Sequence, residues 1–399
     1  MVIRSLFAAT MLASIVGNPA FAADKCTGPI VFGTTISETG FFSTLTTKWD
    51  KMTRAFADEI NKEGGVMVSS CGKKLPLKFV IYDDQSNPSL ATSLYEKMAS
   101  VDNVDFFVGP DWTTIALPVA TVAEKHKIPM VSANVAARAA FTRGLKYFWG
   151  TPYPIVPRWS ENYFAMLSTM NPKPKTIFFI TQDNPVQKEI TDTWAPKTEA
   201  AGMQVVGKEI FPTDLKDFSS IIFKLREAKP DIIYISSFDN ASVALLQQMR
   251  QQRVHALDVH QSILSGSLAH QVGDKVVEGM TSEIAWYHGI KGDYSDLVER
   301  VFKDSDIDMF ENLTSMARFV SYLVMTEAIE KAGAVDREKV RAALYKGTFK
   351  APPGDVIFDE NGFPSSTDFT IQMQKGKVIV VWPAAQATGK MIWPSPSWQ

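Results

Sequence analysis

The chain reads as an α/β protein built from two doubly wound parallel sheets. Three observations predict this. Short runs rich in Val, Ile and Phe recur at 30–34, 77–82, 105–108, 128–132, 176–181 and 231–236. They are apolar on both faces, as a parallel sheet covered from both sides requires. Helical stretches separate them, and the alternation comes in two series, one to about Gly150 and one from Thr176 to about Ile284. A proline-rich joint at Thr151, Pro152, Tyr153, Pro154 and Pro157 divides the two.

Taken in order, the chain opens with Arg4 and an apolar run over 6–16, broken by Gly17, Asn18 and Pro19 and followed by Ala20-Phe21-Ala22. That is the pattern of a secretory signal peptide over 1–23, with cleavage expected after Ala22 or Ala23; its apolar run is too short to span a bilayer. Cys26 stands behind Asp24 and Lys25, so no lipid anchor is expected at the cut. The first helix shows a stripe of Leu45, Trp49, Met52, Phe56 and Ile60, stopped by Gly64-Gly65. A second stripe is Leu90, Leu94, Met98 and Val101. Beyond 284 come helices at 293–305, 315–331 and 336–345, then a hairpin of 368–373 and 377–382 around Lys375-Gly376. Two cysteines in an exported chain, each shortly before a predicted strand, predict a Cys26–Cys71 disulfide.

Composition excludes several functions. The formal net charge is −2 with no basic run, which argues against nucleic-acid and membrane-surface partners. No segment beyond the leader is long and apolar enough for a membrane helix. Catalytic patterns are missing: neither G-x-G-x-x-G nor G-x-x-x-x-G-K-[ST] occurs, nor G-x-S-x-G, nor H-E-x-x-H. His255 and His260 are five apart, which does not place both on one helical face. Ser70-Cys71-Gly72-Lys73 matches S-x-x-K but starts no helix and lacks its companion motifs. Asp83-Asp84 before Ser86-Asn87-Pro88 reads as a cap and a surface charge. No catalytic residue, metal or cofactor is expected.

Doubly wound sheets bind ligands beyond the carboxyl ends of their strands. The segments to search are 36–45, 109–114, 132–137, 182–187, 236–240 and 263–267. At these ends the chain resembles the type I periplasmic binding proteins of the branched-chain amino-acid-binding group. The resemblance rests on Ile36-Ser37-Glu38-Thr39-Gly40, on 57–66, on Tyr82-Asp83-Asp84-Gln85-Ser86-Asn87-Pro88, on Val108-Gly109-Pro110, on Ile128-Pro129-Met130-Val131-Ser132 and on Asp217-Phe218-Ser219-Ser220.

The resemblance implies two lobes joined by three crossing strands, with 24–150 and 286–350 in one and 151–285 and 351–399 in the other. It also implies a periplasmic monomer that traps a small ligand by hinge closure and delivers it to an inner-membrane ABC permease. Matched to the family's ligand loops, Thr113 beside Trp112 supplies a hydroxyl to a carboxylate, with Ser132. Ala133, Asn134 and Ala136 fall where backbone groups and a threonine would bind. The family's tyrosines correspond to Leu45 and Val186, and its ammonium-binding acid falls near Ile263, so an amino-acid ligand loses its counter-charge unless Asp239 supplies it. Phe41, Phe42, Trp112, Tyr153, Phe238 and Trp286 offer aromatic walls. The expected ligand is therefore a small organic acid, aromatic carboxylates included; the alternatives are an amino acid or amide, or a sensory role that presents the liganded shape to a receptor.

Overall fold

The computed structural model describes residues 25–151, 156, 158–254, 256–365 and 368–396, so the expected leader lies outside the described residues. The first series runs β1 (Ile30–Ile36), α1 (Trp49–Lys62), a hairpin of β2 (Val66–Val68) and β3 (Lys73–Leu75), β4 (Leu77–Asp83), α2 (Pro88–Ser100), β5 (Phe106–Val108), α3 (Thr113–His126), β6 (Met130–Ser132) and β7 (Phe148–Gly150). It makes a parallel sheet in the order β4-β1-β5-β6-β7.

The second series runs α4 (Glu161–Leu167), β8 (Thr176–Gln182), α5 (Pro185–Ala200), β9 (Gln204–Phe211), α6 (Ser219–Ala228), β10 (Ile232–Ser236), α7 (Asp239–Gln251), β11 (Asp258–Gln261), α8 (Gly266–Val272), α9 (Asp274–Val277) and β12 (Thr281–Ile284). After it come α10 (Ser295–Ser305), α11 (Ser315–Ala332), α12 (Arg337–Lys346), the short hairpin β13 (Thr348–Phe349) and β14 (Val356–Ile357), and finally β15 (Phe369–Gln374) and β16 (Lys377–Trp382). The second sheet is ordered β16-β15-β12-β11-β10-β8-β9, with β15 and β16 antiparallel.

Leaving the β2–β3 hairpin aside, both sheets repeat one order over five strands: second, first, third, fourth, fifth. Each therefore has a topological switch point where a doubly wound sheet takes its ligand, β1/β5 in one and β8/β10 in the other. Helices α10 and α11 pack on α1, and α11 also covers β5 and β6, so the third helical run flanks the first sheet. Residues 358–364 lie there too: the Gly362 carbonyl accepts from the Gly150 N–H at 3.1 Å, and Phe363 packs edge-on against Phe141.

Local sequence explains the helix starts. Asn87 caps α2 by accepting from the N–H groups of Ser89 and Leu90, and Asn184 caps α5 by accepting from Val186, each followed by a proline that needs no partner. The α1 stripe buries Trp49, Met52 and Phe56 as expected, with Ile60 half-buried. The α2 stripe does not hold. The buried face is Ala91, Tyr95 and Met98, and Val101 is 65% exposed. Tyr95 turns the helix, since its hydroxyl accepts from Thr35 N–H at 3.3 Å and its ring meets Phe107 at 4.8 Å.

Cys26 and Cys71 are joined, Cα to Cα 5.4 Å. Ile30 pairs with Leu77 in register, so both chains enter the sheet at one edge, with Cys71 in the turn between β2 and β3. Closing a loop of this size stabilises the fold by roughly 3–4 kcal/mol in the chain-entropy account.

A wholly buried polar cluster underlies α4 on the second sheet. The Tyr163 hydroxyl donates to Asp258 at 2.8 Å, and Thr281 donates to the same Asp258 oxygen at 2.5 Å. Thr281 has thereby used its proton, so at 2.9 Å it accepts from His260 Nδ1–H. His260 Nε2 then carries a lone pair and lies 2.9 Å from Glu283 Oε2, an approach that an ionised Glu283 would make repulsive, although neither atom has a hydrogen-bond partner among the described residues. Ser160 joins Tyr234 at 2.5 Å and donates to Glu283, while its N–H donates to Asp368 at 2.8 Å. Burial pushes Glu283 well above the usual carboxylate range and holds His260 down to about 3. Burial, then the neighbouring Glu283, pushes Asp368 up to about 7.

Candidate functional site

At the first switch point the floor is ionic. Arg318, from the middle of α11, is fully buried and donates through Nη1 to Asp111, through Nη2 to Thr34 Oγ1 at 2.6 Å and the Thr35 carbonyl at 3.1 Å, and through Nε to Tyr322 at 2.7 Å. Tyr322 in turn meets Thr53 at 2.6 Å. Burial alone would lower the Arg318 pKa, but the Asp111 carboxylate together with Tyr322 and Tyr95 outweighs it and raises it, so the guanidinium stays charged. Burial pushes Asp111 up, against Arg318 and Asn134, which favour its ionised form. Gly109 makes room for this packing. A Cβ there would sit 2.9 Å from Thr34 Oγ1 and 3.2 Å from Arg318 Nη1, and its φ of +91° suits glycine. Asp84, one of the pair expected to be a cap and a surface charge, is buried, and it accepts from Ser86 N–H at 2.9 Å in the turn before α2. It also accepts from Thr35 and Ser37, both at 2.6 Å, because the two loops converge on it.

Above this floor stands an aromatic stack. Phe42 stacks on Trp112 at 4.7 Å and 13°, and Trp49 stacks on it at 6.2 Å and 14°, with the Arg318 guanidinium 5.4 Å from the Trp49 ring. Phe41 meets Phe42 edge-on at 5.0 Å and is 69% exposed. Leu45 is half-buried behind them.

The remaining first-sheet candidates follow strand ends. Thr113 opens α3, and its Oγ1 accepts from Ala137 N–H at 3.3 Å, so its own proton stays available to an acceptor. Ser132 is buried and donates to the Pro110 carbonyl. Ala133 is fully buried and Ala136 nearly so, its carbonyl accepting from Val156 N–H at 3.3 Å. Asn134 reaches Asp111 Oδ1 at 2.8 Å and the Thr314 carbonyl at 3.2 Å.

The second switch point is built from amides and hydroxyls. Gln182 accepts from Phe238 N–H at 2.9 Å. Gln187, fully buried in the first turn of α5, meets Ser236 at 2.7 Å and Ser262 at 3.3 Å. Gln261 holds the Ser237 carbonyl at 2.9 Å and Ser242 at 3.1 Å. Phe238 is half-buried before α7, while Ile263 and Trp286 are buried and Val186 is half-buried. Tyr153 and the side chain of Asp239 lie outside the described residues. The halves touch beside these loops. Gly266 N–H donates to the Phe310 carbonyl at 2.8 Å, His270 lies 3.0 Å from Glu311, and Glu189 of α5 accepts from the backbone of Arg138.

Sequence reasoning missed Asp111, Arg318 and Gln187 as site-forming residues. A single arginine inside the apolar run of α11 was the signal for Arg318, since a lone buried cation needs a carboxylate.

Two doubly wound sheets, one with an ionic and aromatic switch point and one whose described switch-point residues are mainly amides and hydroxyls, make the type I periplasmic binding fold. The family model described as periplasmic binding protein matches residues 29–377, and the chain belongs to that family. Its members are substrate-binding proteins that work with ABC transporter permeases and are not enzymes. The family implies an extracytoplasmic location, and no helix among the described residues is long and apolar enough to cross a membrane.

The leucine-, isoleucine-, valine-, threonine- and alanine-binding protein of Pseudomonas aeruginosa is 26% identical over 321 residues, 79% of this chain and 81% of the relative. The structure of a branched-chain amino acid transporter substrate-binding protein from Streptococcus pneumoniae, in complex with isoleucine, superposes with a TM-score of 0.74 at 16% identity, covering 92% of this chain and 100% of that one. A solute-binding protein from R. palustris in complex with 4-hydroxybenzoate gives 0.71 at 18% identity, covering 91% and 98%.

Proposed function

We propose that this protein traps a small organic acid, aromatic carboxylates included, between its two lobes and passes it to an inner-membrane ABC permease. The observation that carries this reading is the set of amides and hydroxyls at the second switch point, Gln182, Gln187, Ser236, Ser237, Ser242, Gln261 and Ser262; among the described residues there, Asp183 is paired with Lys188 at 2.6 Å, and the side chain of Asp239 lies outside them. An ammonium buried there would cost several kcal/mol for want of a counter-ion. The neighbouring carboxylates are engaged, Asp111 by Arg318 and Asn134, and Glu189 by Arg138. Donors for a carboxylate are at hand in the Thr113 hydroxyl and the first turns of α3 and α5. That a structural neighbour holds 4-hydroxybenzoate supports the same class.

In this reading the leader is cut after Ala22 or Ala23 and the mature protein is a periplasmic monomer. One lobe takes 24–150 and 286–350, the other 151–285 and 351–399; the contacts of 358–364 with β7 support moving the last crossing to about 365. An amino-acid ligand is the competing reading, favoured by the ligands named for the Pseudomonas and Streptococcus proteins. Calorimetric titration of ligand-free protein with leucine, phenylalanine, benzoate and cinnamate decides between them. Micromolar binding of an acid is expected; binding of the amino acids alone overturns the proposal.

A further inference from the structure

Asn134 sits at the carboxyl end of β6 with φ of +56°, a left-handed conformation that asparagine tolerates better than most residues. Its Nδ2 donates to Asp111 Oδ1 at 2.8 Å and to the Thr314 carbonyl at 3.2 Å. Both partners accept and neither donates: Thr314 offers a carbonyl, and Asp111 is held against the Arg318 guanidinium. Turning the amide round would set its oxygen against two oxygens, so the orientation is fixed by chemistry. Oδ1, on the other arm of the amide, has no hydrogen-bond partner among the described residues, although Asn134 is only 5% exposed.

Nor can this acceptor swing to a new partner. Asp111 is pinned by Arg318, and Arg318 is pinned by Thr34, Thr35 and Tyr322, so the two bonds from Nδ2 hold the amide plane and with it Oδ1. A fixed, buried acceptor in a ligand loop is a demand for a donor, because burying it unpaired is costly.

We propose that Asn134 is a specificity-determining residue that reads a hydroxyl on the bound acid, selecting hydroxylated acids over their plain analogues. This rests on the organic-acid reading above. A hydroxyl fits better than an ammonium, because the carboxylates beside Asn134 and on α5 are already engaged and a neutral amide oxygen supplies no counter-charge. Selection of this kind is steep, since the analogue without the hydroxyl leaves the amide oxygen unpaired in a dry site.

The test is calorimetric titration of the full mature chain, freed of ligand by unfolding and refolding, with matched pairs. The probes are benzoate against 2-, 3- and 4-hydroxybenzoate, and 3-phenylpropionate against phenyllactate and 3-(4-hydroxyphenyl)propionate. At least one hydroxylated member is expected to bind about tenfold or more tighter than its plain partner. In Asn134→Gly, which suits the positive φ, that ratio is expected to collapse to within about threefold. Equal affinities across every pair in the natural protein overturn the inference, because Oδ1 then meets nothing more selective than water. A ratio that survives in Asn134→Gly overturns it equally. Should that variant fail to fold, the ratios of the natural protein still decide. If acids bind without regard to hydroxylation, only this inference falls; if amino acids bind and no acid does, it falls together with the reading beneath it.

Discussion

Below the first switch point, Arg318 and Asp111 bury a full pair of opposite charges, whereas below α4 the second sheet buries Asp258, His260, Glu283 and Asp368, which among the described residues have no lysine or arginine as a hydrogen-bond partner. Both clusters are dry and both are knit by hydrogen bonds. They differ in where the protons are. In the first, a cation keeps a carboxylate ionised, and the pair is fixed to β1, α11 and the loop after β5. In the second, neutrality is reached by holding protons on acids and keeping one off the imidazole. The lesson is that burial fixes the net charge of a cluster near zero, and sequence decides whether a counter-ion or a proton does it.

The sharpest way to break this contrast is Arg318→Met. It strands Asp111 in a dry site and is expected to lower stability by about 3–5 kcal/mol, read as a fall in the urea midpoint at pH 7. A loss under about 1 kcal/mol would mean that water reaches the floor and the charges are not dry.

A second effect is expected in the pH dependence. Asp368 has a folded pKa of about 7 against an ordinary carboxylate value near 3.8, so the folded state binds the extra proton between them. Its contribution is fully present below about 4 and is lost as pH rises to about 7. His260 acts in the opposite sense: its folded value of about 3 lies below the ordinary 6.5, so stability is lost as pH falls beneath about 6.5. Asp368→Asn isolates the first effect. Relative to the natural protein, its melting temperature should improve from pH 5 to pH 8; a constant difference would show that Asp368 does not titrate in this window.

The smallest change is expected from Glu283→Gln. An amide mimics a protonated carboxyl, so at pH 7 the substitution should cost less than about 1 kcal/mol in the same denaturation experiment. A loss as large as that of Arg318→Met would show that Glu283 is ionised and that the two clusters are alike after all.

How much of this was legible beforehand follows from the same contrast. Strands β1, β5, β8 and β10 announce themselves as apolar runs because both faces are packed. Strands β11 and β12, Asp258–Gln261 and Thr281–Ile284, are as buried but carry the polar cluster, so no apolar run marks them. The edge strand β9 alternates exposed and half-buried residues and is similarly quiet. Site positions were readable where topology dictates them, as for Trp112, Thr113 and Asn134 at strand ends. Their partners were not. Asp111 meets Arg318 across 207 positions of chain, and only the folded layers bring the two together.

The stack of Phe42, Trp112 and Trp49 gives the protein an optical consequence. Two indoles held nearly parallel at 6.2 Å couple their electronic transitions, and such a pair gives circular dichroism that depends on the angle between the rings. Phe42, which stacks on Trp112, belongs to the loop of exposed Phe41. A solute that displaces Phe42 would change the surroundings of one chromophore of that pair while Trp49 stays anchored over Arg318. The cleft therefore carries its own reporter, and occupancy can be followed by tryptophan spectroscopy on the unlabelled protein.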